Sequence, residues 1–426
     1  MKKYLPFFRS CPLLIALVAG QSLYGQLFVE KQTRHRFAQN LIGFDVQTSM
    51  GGNTYYQTSE GDFNRLSLPS TSRARVIIGG LHFWGHADFH IAIPVMFPNL
   101  ETNNQDIFFT SGVETVFKYY PWQLESKKIR PYLGVSLSPY YYEQDNGNLD
   151  FGAGQQLSHV SVPLMAGFSY LSKKKILEAG VTWNYANDQE YYLTRTQSRT
   201  INTPPLFATV ALKFFFDTTV GAEESWESGR TKEWIDGLAE EGKLDGFFLS
   251  AGLSSAWWMG RSSYNEENSP YIKNYGISLM GDFGLGYYWH NPDLNLVLNY
   301  RGYGASSTAY GTIQSLKRRS YGFELTKYLL DYHGFDPFIG PVVTYERLSF
   351  KESFEGVRTQ NVEELKVSWG ITFGWDIRPD RNQSIILRTN LRWFPTLDLA
   401  VEDANTISFD NIEFNFIQLV VFPNRL

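Results

Sequence analysis

The chain has 426 residues, 43% of them hydrophobic and 16% aromatic, and its 38 basic against 43 acidic residues leave a formal net charge of −5. That balance supplies no basic field of the kind nucleic-acid binders present, so nucleic acid is excluded as a partner. The single cysteine, Cys11, excludes a disulfide framework or a multi-thiolate zinc site.

Residues 1–25 carry Lys2, Lys3 and Arg9, then an apolar run from Pro12 to Gly20, then small residues before Gln21 or Gln26. This order predicts a secretory signal peptide cut after Gly20 or Gly25, whose apolar core is too short to span a bilayer. Cys11 lies at the front of that core, which is not a lipoprotein acceptor position. No later segment offers the roughly 20 continuous apolar residues of a transmembrane helix.

Residues 26–216 read as a first β unit beginning with a strand at 40–52. Its links alternate long and short: 53–72, 85–88, 98–105, 122–129, 144–158, 171–175 and 187–203. Folding about His86 sets His82 opposite His90, and these three histidines are expected at a periplasmic rim rather than on a metal. Val160, Val162, Leu164, Ala166, Phe168 and Tyr170 form one face of a strand, with Ser161, Pro163, Met165, Gly167 and Ser169 on the other. A period of two marks a strand between two different surroundings. His159, beside Ser158 and Ser161 and following Asp145 and Asp150, is the one set that a rim hydrolase or acyltransferase would use. A solvated rim histidine is the reading preferred there.

Residues 217–245 read as a periplasmic linker with a short helix near 231–241, where Trp234, Ile235 and Leu238 share a face. Residues 246–426 repeat the first unit, with links at 261–274, 290–293, 305–318, 331–335, 351–364, 378–382 and 395–410. Gly112 and Glu114 correspond to Gly322 and Glu324, and Pro131, Tyr132, Leu133 and Gly134 to Pro337, Phe338, Ile339 and Gly340. Half-chain spacing points to a duplicated β domain rather than a solenoid. In the second unit Leu365, Val367, Trp369, Ile371, Phe373, Trp375 and Ile377 alternate with Lys366, Ser368, Gly370, Thr372, Gly374 and Asp376. His290 and His333 belong to turns.

Strands of this length exceed the usual five or six residues of a soluble sandwich and are long enough to cross a bilayer at a tilt. Aromatics near strand ends are expected to form interfacial girdles: Tyr119, Tyr120 and Trp122; Tyr140 to Tyr142; Trp257 and Trp258; Tyr287, Tyr288 and Trp289; Trp393 and Phe394. The predicted fold is all-β: a transmembrane antiparallel up-and-down barrel system of 16 strands, favoured as two tandem 8-stranded barrels, with one 16-stranded barrel as the alternative. The expected lumen charges are Glu114 and Lys118 in the first unit and Asp282, Glu324, Lys366, Asp376, Arg388 and Arg392 in the second. The sparser first set suggests that the units have drifted apart in role. No catalytic, cofactor-binding or metal-ligating residue is assigned.

The segments GVETVFKYY (112–120) and RPYLGV (130–135) resemble the fourth and fifth strands of the small eight-stranded porin-family barrels, the OmpA-like and OmpW-like group. The second copy, Gly322-Phe-Glu324 and 336–340, is the weaker match, and no peptidoglycan-binding domain follows as in the OmpA-like plan. The ending IEFNFIQLVVF (412–422) resembles the closing strand read by the outer-membrane insertion machinery, with Pro423 to Leu426 trailing it. The resemblance implies the cell outer membrane, its lipid and that machinery as partners, and a non-enzymatic structural, surface-interaction or anchoring role. A passive diffusion porin and, further off, a lipid-modifying enzyme are the alternatives.

Overall fold

The computed structural model describes residues 38–426 apart from 59, 96–98, 103–104, 146–153, 173–174, 217–229, 261, 273–274, 331–334, 378–383, 396 and 403. The predicted signal peptide and residues 217–229 of the predicted linker lie outside the described residues.

The first unit runs through β1 (Ala38–Ser49), β2 (Gly52–Gln57), β3 (Phe63–Leu68), β4 (Ser72–His82), β5 (Ala87–Pro94), β6 (Asn99–Thr102), β7 (Gln105–Ser111), β8 (Glu114–Tyr119), β9 (Ile129–Asp145), β10 (Leu157–Ser161), β11 (Leu164–Ser172), β12 (Lys175–Trp183), β13 (Asp188–Tyr192), β14 (Ser198–Asn202) and β15 (Leu206–Phe216). Eight of these form the wall, in the order β1-β4-β5-β8-β9-β11-β12-β15, and the β15–β1 ladder closes it. The predicted continuous strand at 160–170 divides at Val162 and Pro163, since proline cannot donate to a ladder. Hairpins β2–β3 and β13–β14 join into a four-stranded sheet.

Helix α1 (Arg230–Glu240) precedes the second unit. It ends in a paired cap at Gly242, whose φ of 66° is left-handed: Gly242 N–H donates to Ala239 and Lys243 N–H to Leu238. Leu238 is buried and Trp234 exposed, so the predicted apolar face is not covered as one surface. The second unit comprises β16 (Gly246–Trp258), α2 (Ser263–Asn268), β17 (Ile277–Trp289), β18 (Leu294–Ala309), β19 (Thr312–Tyr328), β20 (Phe335–Phe354), β21 (Val357–Ile377), β22 (Ile385–Phe394), β23 (Asp398–Glu402), β24 (Asn405–Ser408) and β25 (Asn411–Val421). Its barrel, β16-β17-β18-β19-β20-β21-β22-β25, closes on itself through the β16–β25 ladder. The fold is therefore two closed eight-stranded antiparallel barrels, and the 16-stranded alternative is set aside.

The walls are apolar outside. Phe44, Val46, Phe168, Leu177 and Val210 are exposed on the first barrel; Leu279, Phe283, Phe323, Val343, Val367 and Trp369 are exposed on the second. Exposed apolar surface this extensive does not suit water, and a closed ring leaves no unpaired backbone edge in hydrocarbon.

Two expectations fail at the external end of the second barrel. Residues 305–318 and 351–364 are not loops but continuing strands that meet at two-residue turns, Tyr310-Gly311 and Glu355-Gly356. All four turn residues take positive φ, the primed-turn geometry whose twist matches that of the strands.

The girdle expectation also needs correcting. Successive strand residues face opposite ways, so in each aromatic pair one ring turns inward. Tyr120, Tyr140, Tyr142, Trp258, Tyr288 and Phe394 are buried, while Trp122 is exposed and Tyr287 packs outside against Phe247 and Trp289, at 4.8 and 4.9 Å.

The two barrels stand side by side. Phe89, on the outer face of β5, meets Trp375 at 5.6 Å and Phe416 at 4.9 Å, and Phe83 meets Phe335 at 5.1 Å. Trp257 and Phe414, though on the outer wall, keep only 5% and 8% of their surface, because this contact excludes lipid from them. At the external end Tyr310 donates to the Tyr192 carbonyl (2.7 Å) and Arg195 stacks on Phe354 (4.4 Å).

Candidate functional site: the two charged lumens

Alternation puts every second wall residue into a lumen that eight strands make just wide enough for side chains. In the first barrel Arg75 on β4 grips Asp45 on β1 with both ends of its fork, at 2.8 and 2.7 Å, and also reaches Glu114 on β8. Lys118 and Lys213 converge on Glu178 at 2.6 and 2.8 Å; Lys213 also pairs with Asp88, which holds His90 Nδ1 at 2.7 Å. The Tyr120 and Ser169 hydroxyls donate to Glu178 at 2.8 and 2.9 Å. All of these side chains are buried.

Glu114 and Lys118, both expected lumen charges, take part in these pairs. Asp45, Arg75, Asp88, His90, Glu178 and Lys213 complete a network denser than the two predicted residues alone, though it holds fewer charges than the second lumen. Their signal was a charged residue at the inward parity of an otherwise apolar strand, as with Asp45 between Phe44 and Val46 and Glu178 between Leu177 and Ala179.

The histidine expectation fails by register. The turn closes at Phe83–Gly85, so His82 pairs with Ala87 and His90 with Gly79. His90 is a lumen residue rather than part of a rim. Of the His159 set, the His159 ring packs on Tyr140 at 5.5 Å and the Ser161 hydroxyl donates to the Ser138 carbonyl. Asp150 lies outside the described residues, and the side chain of Asp145 is not described.

The second lumen is built from arginine forks. Arg388 holds Asp376 at 2.8 Å through two nitrogens, and Arg318 holds Glu346 at 2.9 and 2.6 Å. Arg392 bridges Asp282 and Glu324, both at 2.6 Å, and Arg301 pairs with Glu413 at 2.7 Å. Phe394 lies under the guanidinium groups of Arg301 and Arg318, at 5.0 and 4.6 Å. Planar forks suit buried carboxylates because each bond satisfies a proton that burial would otherwise strand.

Of the predicted set, Asp282, Glu324, Asp376, Arg388 and Arg392 meet here. Lys366 does not: it is only partly buried, near the external end, where it contacts Glu364 at 3.2 Å and donates to the Asp398 carbonyl. Arg301, Arg318, Glu346 and Glu413 were missed; of these only Arg318 falls within a stretch read as a loop, 305–318.

Both mouths of the second lumen are filled. Externally, α2 and the β23–β24 hairpin bring Tyr264, Tyr271, Leu399 and Ile407 against Trp258, Phe350 and Phe409 in one buried cluster. Gln314 ties Asn265 to Glu352 at 2.9 and 2.7 Å within that seal. At the other end Phe248, Tyr288, Tyr328, Phe338 and Phe422 pack together. Over the first barrel, Leu66, Leu68, Tyr191 and Ile201 of the external hairpins pack on Ile107, Tyr140 and Tyr142.

Glu114 and Glu324 lie in the fourth wall strands of their barrels and both are buried; Pro131 and Pro337 lie in the fifth. The residues that correspond in sequence therefore hold equivalent places in the two rings.

No protein-family model matches the chain, and no curated protein matches it. Among solved structures it is similar to Neisserial surface protein A (15% identity, 42% of this chain and 97% of that one, TM-score 0.30). It is also similar to Ail, the attachment invasion locus protein of Yersinia pestis (11%, 42% and 97%, TM-score 0.27). An outer membrane channel from Pseudomonas putida F1 aligns over 90% of this chain and 95% of its own at 11% identity, TM-score 0.21. At such TM-scores the assignment comes from the walls themselves: this is an outer-membrane β-barrel protein.

Proposed function

We propose that the protein is a closed, non-conducting and non-enzymatic pair of barrels that serves the cell surface through its external hairpins, as an interaction or anchoring element. The observation that carries this reading is the double filling of each barrel: buried ion pairs across the lumen, and packed apolar side chains above them. A diffusion porin needs a hydrated path, and the narrow ring with paired charges supports the closed reading instead. The external extension of β19, β20 and β21, together with the interlocked loops of the two barrels, supplies a rigid surface for contact. The closing strand β25, followed directly by Phe422, fits recognition by the insertion machinery.

Conductance of the purified chain in planar bilayers tests the closed reading. Silence at moderate voltage is expected, and steady large openings would favour the porin.

A further inference from the structure

The outer wall of the second barrel has one face unlike the rest. On β19 and β20 the apolar belt ends at Tyr321 and Tyr345, which are Cα partners, with Tyr300 beside Tyr321 at 5.2 Å between rings. Immediately beyond this tyrosine row the outward residues are Lys317, Arg319, Arg347 and Lys351, all exposed. Arg319 lies directly across from Arg347 in the ladder. Like charges in that position repel unless an anion lies between them.

Among the described residues Glu363 alone answers, and it pairs with Arg347. Lys317, Arg319 and Lys351 make no ion pair among the described residues. The neighbouring strand leaves room beside them, since Arg319 and Lys317 face Gly302 and Gly304 on β18.

Below the row, a groove runs into the belt between Phe283, Leu285, Leu298, Tyr300, Tyr321 and Phe323. It lies on β17, β18 and β19, away from the partners of Phe89 on β21 and β25. Although β10 comes against β17 and Tyr192 against the β18–β19 turn, its six lining side chains are exposed and open to lipid. An apolar groove, an aromatic row and a cationic shelf follow one another in the order of an acyl chain, an interface and a phosphate.

We infer that this face binds one phosphorylated glycolipid of the outer leaflet, its acyl chain in the β17–β19 groove and its phosphate on Arg319 and Lys317, with Arg347 and Lys351 at the edge. The inference rests on the outer-membrane placement alone, and holds whichever surface role the protein has.

The test uses the full chain in phosphatidylcholine nanodiscs doped with bisphosphorylated lipid A, with retained lipid counted by native mass spectrometry. The wild type should retain lipid A, while Lys317→Ala with Arg319→Ala should weaken retention about tenfold, as loss of two charge-assisted contacts implies. Lys175→Ala, a cation change on the other barrel, should leave retention unchanged, and an unchanged heat-dependent gel shift would show that each variant is folded. Dephosphorylated lipid A should be retained as poorly as the double variant retains the parent lipid. Equal retention by the double variant, equal retention of the dephosphorylated lipid, or displacement by inorganic phosphate alone would each overturn the inference.

Discussion

Phe89 of the first barrel and Trp375 of the second meet edge to face at 5.6 Å, each on the outer wall of its own ring. Between rings immersed in lipid there is no hydrophobic drive to associate, so shape and ring contacts must hold them together. Phe89→Ala is expected to lower the stability of the full chain by about 1 kcal/mol, the scale of an aromatic pair. The same change in an isolated first barrel should have little effect. Urea unfolding of both forms in detergent checks this.

Each ring closes through its own ladder, so residues 26–220 and 245–426 expressed separately should each refold in detergent with the heat-dependent gel shift of a closed barrel. Failure of both halves beside success of the whole would show that the rings depend on each other.

Arg392→Ala should be among the most damaging single changes. It leaves Asp282 and Glu324 buried without their common partner, at a cost of about 3–5 kcal/mol. Arg392→Met with Asp282→Asn and Glu324→Gln should recover much of that loss. Equilibrium unfolding in lipid or detergent distinguishes the two.

The two outcomes bear on how far the chain's pattern can be read. Alternation at 365–377 identifies the lipid-facing wall, because a period of two is a local property of one strand. Which inward charges meet is not local: Arg392 on β22 reaches Asp282 on β17 and Glu324 on β19, and only ring closure brings those strands within reach. Parity is legible in single strands, since Asp45 and Glu178 stand at inward positions of otherwise apolar runs. The turns at Gly311 and Gly356 carried the residue-plus-glycine signal of a two-residue hairpin, yet the polar strands around them read as loop. Paired aromatics misled for the same reason, since adjacency in sequence means opposite faces in a strand.

Glu363 gives a pH signature outside the membrane. The hydrogen bond from Arg347, aided by its charge and by Lys351 and Arg319, holds the carboxyl below its ordinary range. A depressed folded-state value contributes stability that is present above the unfolded pKa and lost as pH falls through the folded one. Carboxyl-selective NMR should show Glu363 titrating below a free glutamate, and Arg347→Ala should return it toward the ordinary value. The pair is exposed, so the change in stability itself should be small.

The central claim is that β1 closes on β15 and β16 closes on β25. In a Cys11→Ser background, thiol pairs at Val46 with Val210 and at Ala251 with Leu419 occupy facing positions in these two ladders. A short thiol-reactive cross-linker should join each pair within one chain in native membranes, whereas a pair at Val210 with Leu249, spanning β15 and β16, should stay open. Efficient joining of Val210 to Leu249, with the two ladder pairs left unjoined, would mean a single larger sheet and contradict the account.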